Sequence, residues 1–211
     1  MMICLQGQTL HLLPEKAIYW EERSTLLVSD LHLGKSSHFR KNGIAVPGAI
    51  VYQDLNVLSD LIEKLAVKSV YFLGDLFHSD INNEWTIFSK WLELYDDHQF
   101  YLIKGNHDIL PDSTYSTSNL EVVLEKNIGP FCLTHETRKD ENLYNISGHV
   151  HPCVRLKGEA RQGLRLPCFY FGKKYGLLPA FGNFTGTHPV KVYKDDRVFV
   201  IAEGQIIRLS A

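Results

Sequence analysis

This chain is short of the features that usually reveal a function at a glance. Within its 211 residues no run of about 18 apolar residues occurs, so no membrane-spanning helix is expected. The start, Met1-Met2-Ile3-Cys4-Leu5-Gln6-Gly7, has neither a basic opening nor an adequate apolar stretch. No secretory signal is therefore expected, and the location is read as cytoplasmic. Cysteine is sparse: Cys4, Cys132, Cys153 and Cys168 are scattered, with no Cys-x-x-Cys pair. That argues against a zinc ribbon and for buried free thiols in a reducing compartment. Neither sign of charge dominates, since 22 basic residues face 24 acidic ones for a net charge of −2. The chain as a whole has no pull on a polyanion, although bound cations could supply one locally. Gly34, Gly43 and Gly48 miss the spacing of a phosphate-binding P-loop. There is no internal repeat, low-complexity tract or convincing linker.

What is present is a patterned α/β sequence. Its length suits one domain with a substantial core, spanning residues 1–211. Residues 2–5, 9–13, 17–20 and 25–29 read as strands. Residues 47–66 read as a helix, with Pro47 in its first turn and Val51, Leu55, Leu58, Ile62 and Leu65 at steps of three and four. A strand is expected at 69–73, a helix at 83–95 and a strand at 99–103. Residues 109–119 read as a loop beside the site. Beyond residue 119 helical periodicity fades, and 121–125, 131–135, 143–147, 154–157, 164–171, 190–193, 198–202 and 205–209 all read as strands.

Metal-ligand side chains stand at the ends of five apolar runs. In order they are Asp30-Leu31-His32, Gly74-Asp75-Leu76-Phe77-His78, Gly105-Asn106-His107-Asp108, Thr134-His135-Glu136 and Gly148-His149-Val150-His151. Six of the ten histidines fall in these blocks, too many for the ordinary structural or surface role of a lone histidine. Five strand ends delivering Asp, His and Asn to loops suggest one shared site, and the crowd suits two divalent cations better than one structural metal. Residues two apart on an extended segment point the same way, so Asp30 with His32, and His149 with His151, are each expected to present a pair of donors. Oxygen and imidazole without thiolate favour Mn, Fe, Zn or Ni, and the carboxylates are too few for a calcium cage.

The five blocks, in this order, resemble the calcineurin-like metallophosphoesterases. They span residues 30 to 151. Asp30 to Ser36 together with Gly-Asp-Leu-Phe-His resembles a narrower group, the bacterial and archaeal phosphodiesterases linked to DNA ligase and helicase genes in DNA-damage response. The resemblance implies a four-layer α-β-β-α sandwich of two mixed sheets flanked by helices. It implies a first metal held by Asp30, His32, Asp75 and His151, a second held by Asn106, His135 and His149, and Asp75 bridging the two, with manganese as the first choice. It further implies hydrolysis of a phosphodiester, with DNA or RNA as the candidate substrate, by in-line attack of a metal-bridging hydroxide. His107 would protonate the leaving group and Asp108 would orient the His107 ring. His78 also matches the double-strand-break-repair nuclease branch, and either a substrate-side role or a supporting hydrogen bond is open to it. Leu76-Phe77-His78 and Asp108 depart from the protein serine/threonine phosphatase pattern.

Only 27 residues separate His107 from His135 and 13 separate His135 from His149, too few for a cap domain, so an open site is expected. Lys35, Arg40 and Lys41 follow the first block; Arg155, Lys157, Arg161, Arg165, Lys173 and Lys174 follow the last, offset only by Glu159. Either set could meet phosphates, though charged strands and loops are commonly just solvated. Tyr170, Phe171 and Tyr175 suit burial as well as base stacking. His11, His38, His98 and His188 carry no site reading, His188 least firmly because its glycine-rich approach could near the metals. Two other functions fit the same residues: hydrolysis of a small or cyclic nucleotide or a lipid headgroup, and a non-catalytic metal-binding scaffold. The scaffold reading expects missing ligands, and none is missing. Oligomeric state is not legible.

Overall fold

The structure is a computed structural model that describes residues 1–34, 50–77, 83–115, 119–138, 142–157, 163–183 and 185–209. His78, His38, Lys35, Arg40, Lys41, Pro47 and Arg161 lie outside the described residues.

Two β-sheets face each other. The first has seven strands in chain order: β1 (Met2–Leu5), β2 (Gln8–Leu12), β3 (Ile18–Trp20), β4 (Thr25–Val28), β5 (Ser69–Phe72), β6 (Gln99–Ile103) and β7 (Leu120–Val123). β1 to β4 pair antiparallel through short turns, and β4 to β7 pair parallel. Parallel neighbours need long crossovers. Helix α1 (Ile50–Lys64) lies between β4 and β5, and α2 (Asn83–Glu93) between β5 and β6. The loop expected at 109–119 contains one short helical turn, α3 (Asp112–Tyr115).

The second sheet has nine strands: β8 (Lys126–Ile128), β9 (Phe131–Thr134), β10 (Tyr144–Ser147), β11 (Pro152–Lys157), β12 (Gly163–Phe171), β13 (Tyr175–Leu177), β14 (His188–Pro189), β15 (Arg197–Ala202) and β16 (Gln205–Arg208). They run β14-β11-β12-β13-β10-β9-β8, with β15 on β12 and β16 on β15. β9, β10 and β13 are parallel neighbours. The strand expected at 190–193 is absent. Val190 extends the β11 pairing by one hydrogen bond to Cys153, and then Tyr193 and Asp196 close a turn.

Strand alternation sorts the core. From β4, β5 and β6, Leu26, Val28, Val70, Phe72, Phe100 and Leu102 face outward against Leu55, Leu58 and Ile62 of α1 and Phe88, Trp91 and Leu92 of α2. Their neighbours Leu27, Tyr71 and Ile103 face inward and meet Phe131, Leu133, Tyr144, Ile146, Phe169 and Phe199 of the second sheet. The second sheet's outer face carries a smaller cluster around Cys168, Tyr170, Leu177, Val198 and Val200. No helical residue belongs to that cluster among the described residues, and the two mixed sheets, with α1 and α2 packed on the first, form the expected α/β sandwich. Cys132, Cys153 and Cys168 are buried free thiols, while Cys4 is free but exposed, against expectation. No helix is long and apolar enough to cross a membrane among the described residues.

Candidate metal centre

Parallel strands deliver their following loops to one edge, where open α/β sheets place their ligands. Asp30 and His32 follow β4, Asp75 follows β5, and Asn106 follows β6. From the facing sheet, His135 follows β9, and His149 and His151 follow β10. The first two loops stay zipped beyond their strands: Asp30 N–H donates to the Gly74 carbonyl at 3.1 Å, His32 N–H to Asp75 at 2.9 Å and Leu33 N–H to Leu76 at 2.8 Å.

The donors gather in two groups, Asp30 with His32 and His151, and Asp75 with His135 and His149. Within each group the candidate ligand atoms lie within 4.8 Å of one another. Each group draws on both sheets. Asp75 stands between them, with Oδ2 3.7 Å from His32 Nε2 and Oδ1 3.4 Å from His135 Nε2. Asn106 Oδ1 is 3.1 Å from His135 Nε2, and His149 Nδ1 is 3.0 Å from the same atom. His151 Nε2 lies 3.2 Å from Asp30 Oδ1.

Two rings are aimed by main-chain carbonyls. His135 Nδ1 is 2.9 Å from the Leu73 carbonyl, and His151 Nδ1 is 3.0 Å from that of Gly186. A carbonyl only accepts, so each Nδ1 donates to it and Nε2 is turned toward the donor group. Asn106, Asp75 and His149 converge on His135 Nε2, and the oxygen and imidazole set fits a divalent cation in each group.

Backbone conformation makes the same point. Asp30, His32, Asp75, His149 and His151 all have φ between 49° and 64°. The pairs expected to be extended are therefore left-handed, because the loops turn sharply while keeping their cross-loop hydrogen bonds. A non-glycine residue there costs of order 1 kcal/mol or more, and five amount to a sizeable share of a domain's net stability. Two glycines of the motifs owe their identity to close approach. A Cβ on Gly74, itself at φ +83°, would strike the His135 ring, and one on Gly148 would strike the Asp30 carboxylate.

His107 is exposed, its ring 5.5 Å from the buried His32 ring, and its main-chain N–H donates to Asp75 Oδ1 at 2.9 Å. Asp108 was expected to serve the His107 ring, but its carboxylate serves the backbone. Oδ1 accepts from Leu76 N–H at 2.9 Å and Phe77 N–H at 3.2 Å, and Oδ2 from Gly105 N–H at 2.8 Å. It thus joins the loop of Asp75 to the loop of Asn106. Burial pushes its carboxyl above the usual range, against the pull of those hydrogen bonds.

The glycine-rich segment before His188, open in the sequence to approaching the metals or to forming a strand with a tight turn, packs on the Asp30 loop. Phe181 N–H donates to Ser29 and Gly182 N–H to Asp30, at 2.8 and 3.2 Å. Behind it, Asn183 Nδ2 donates to Asp54 Oδ1 at 2.8 Å and Lys16 Nζ to the Phe181 carbonyl at 3.2 Å. The glycines of 182–186 were the available signal. His188 lies on β14, exposed, its N–H on the His151 carbonyl at 2.9 Å.

Fold and site together define a metal-dependent phosphoesterase. Residues 24–204 match the calcineurin-like phosphoesterase family, and the chain belongs to it. Among solved structures it is similar to the Pseudomonas putida nuclease MPE, at 30% identity over 99% of each chain with a TM-score of 0.83. A protein of unknown function from Aquifex aeolicus, AQ665, shares 21% identity over 60% of this chain and 78% of its own, with a TM-score of 0.42. Yfce, a phosphoesterase from E. coli, shares 12% identity over 88% and 98%, with a TM-score of 0.45. No curated protein matches the chain.

Proposed function

We propose that this chain is a phosphodiesterase with a two-cation centre that cleaves nucleic acid, a nuclease acting in DNA repair, and that residues 1–211 work as one unit without a cap. The observation that carries the reading is the placement of Asp75, whose two carboxylate oxygens face different groups from between them. Asp30, His32, Asp75 and His151 would hold one cation, and Asn106, His135 and His149 with Asp75 the other. Manganese is the first choice for both. Bound there, the cations supply neutralisation of phosphoryl charge and a lowered pKa for an attacking water.

The chain's own groups supply the rest. Asp108 fixes the Asp75 and Asn106 loops through three main-chain N–H groups. His135 and His151 are held in one ring orientation by the Leu73 and Gly186 carbonyls, which reduces the reorganisation needed at the moment of reaction. His107, exposed beside buried His32, would hand a proton to the departing alkoxide. The nuclease reading is supported by the similarity to the P. putida enzyme. The repair role rests on the resemblance to the group linked with ligase and helicase genes.

A manganese-reconstituted panel tests this. It compares bis-p-nitrophenyl phosphate, p-nitrophenyl phosphate, cyclic nucleotides, and labelled single-stranded and duplex nucleic acid. Preference for diesters and cleavage of a nucleic acid are expected. Preference for the monoester would overturn the phosphodiesterase assignment, and metal retention without any hydrolysis would leave a binding scaffold.

A further inference from the structure

The outer face of the second sheet opens, next to the metal centre, into a cleft of about 560 Å³. Val150, Tyr170, Tyr175, Lys191 and Tyr193 line it, with His188 also in its wall. Val150 stands between His149 and His151 in the chain. The hydrogen bond from His188 N–H to the His151 carbonyl seats β14 beside β11. The cleft and both candidate metal groups thus share one stretch of backbone, a single residue apart.

Core packing explains part of this wall and leaves part of it over. Tyr170 is buried in the small outer cluster, but Tyr193 is 57% exposed. Its position is nonetheless fixed. Asp196 Oδ2 accepts both the Tyr193 main-chain N–H and the Tyr170 hydroxyl, each at 2.8 Å. Lys191 Nζ lies 5.0 Å from the Tyr193 ring centroid, a cation set against the ring.

The charges at the cleft are Lys191 in its lining and Asp196, which holds Tyr193 and Tyr170 at its wall.

We propose that this cleft is a nucleobase subsite, seating an unpaired base of a nucleic acid strand on the exposed Tyr193 ring beside the phosphate undergoing cleavage, with Lys191 meeting the strand's phosphate charge. An aromatic ring with a cation beside it accepts any base face, and a base held in a duplex cannot offer that face. The inference rests on the phosphodiesterase reading for the position of the phosphate, and on the cleft alone for the base.

The test uses the manganese-loaded wild-type protein with Tyr193→Ala, Tyr193→Phe and Lys191→Ala. Three quantities are measured: hydrolysis of methyl p-nitrophenyl phosphate, which has no base; cleavage of a single-stranded oligonucleotide; and binding of a labelled phosphorothioate oligonucleotide, single-stranded or duplex, by fluorescence anisotropy. Loss of one base stack corresponds to roughly ten-fold weaker binding. Tyr193→Ala is expected to weaken single-strand binding and raise KM for the oligonucleotide by about that factor, leaving the methyl ester unchanged, and Tyr193→Phe to restore both. Lys191→Ala is expected to flatten the salt dependence of binding. Wild-type binding and cleavage by Tyr193→Ala would overturn the subsite, as would an equal fall on the methyl ester or a duplex bound as tightly as the single strand. If the wild type hydrolyses no diester, the phosphodiesterase reading fails, and the anisotropy arm still decides whether the cleft takes a base.

Discussion

Asp30, His32 and His151 form the more enclosed of the two donor groups, with Asp30 at 0% and His32 at 6% exposure. Asp75 and His135 are just as buried, but their third member, His149, is exposed, and so are Asn106 and His107 beside them. The two groups share a carboxylate–imidazole chemistry and differ in access. A buried set of oxygens and lone pairs cannot be rehydrated without moving a loop, so its need for a cation is greater. The open group is the side from which a substrate oxygen can arrive. Under the proposed two-cation reading, the enclosed group would anchor its cation and the open group would exchange the other.

The largest effect is expected from Asp75→Ala, which removes a side chain facing both groups. Turnover should fall to background and both cations should be lost, as read by elemental analysis of the dialysed protein. A variant that keeps one equivalent would show that Asp75 belongs to a single group. His107→Ala comes next. Turnover should drop by about 10²–10⁴-fold, the range for a general acid, with metal content unchanged. His149→Ala should be milder in stoichiometry, losing the equivalent held by the open group alone. In the wild type, chelator titration should likewise remove one equivalent before the other. Simultaneous loss would erase the distinction between the groups.

The smallest effect concerns the support behind the enclosed group. Burial pushes the Asp54 carboxyl up to about 6 from 3.8, with Lys16 and Asn183 opposing the shift. The folded protein therefore binds this proton more tightly than the unfolded chain does. Stability from this group is fully present at pH values below the unfolded pKa, declines as pH rises from near 3.8 to about 6, and is flat above. Asp54→Asn keeps a hydrogen-bonding partner for Asn183 and removes the decline. Relative to wild type it should gain about 2 kcal/mol between about pH 4 and about pH 7, measured by urea unfolding. A constant difference across that window would place the proton elsewhere.

Much of this centre could be read directly from the chain, because its chemistry is local in sequence. Asp, His and Asn ending buried apolar runs are rare residue types in rare positions, and all seven reach one edge of the sandwich. The helix periodicity of Leu55, Leu58 and Ile62 marked α1 for the same reason: about two turns of chain contain the whole signal. What escaped notice is decided by distant partners. The job of Asp108 depends on Leu76 and Phe77, and the aim of His151 on a carbonyl 35 residues away. The left-handed backbone at Asp30, His32, Asp75, His149 and His151 follows from hydrogen bonds between loops, which no single segment encodes. Val190 to Tyr193 alternates like a strand, yet Asp196 captures its end in a turn.

Asp30 and His32 come from one half of the sandwich and His151 from the other, and Asp75 is divided in the same way from His135 and His149. A cation in either place would rivet the halves across their seam, so that its binding energy is also docking energy. Starving the protein of metal should then do more than silence it: the seam should gape at lower temperature and yield sooner to a protease, making metal supply a determinant of the molecule's lifetime.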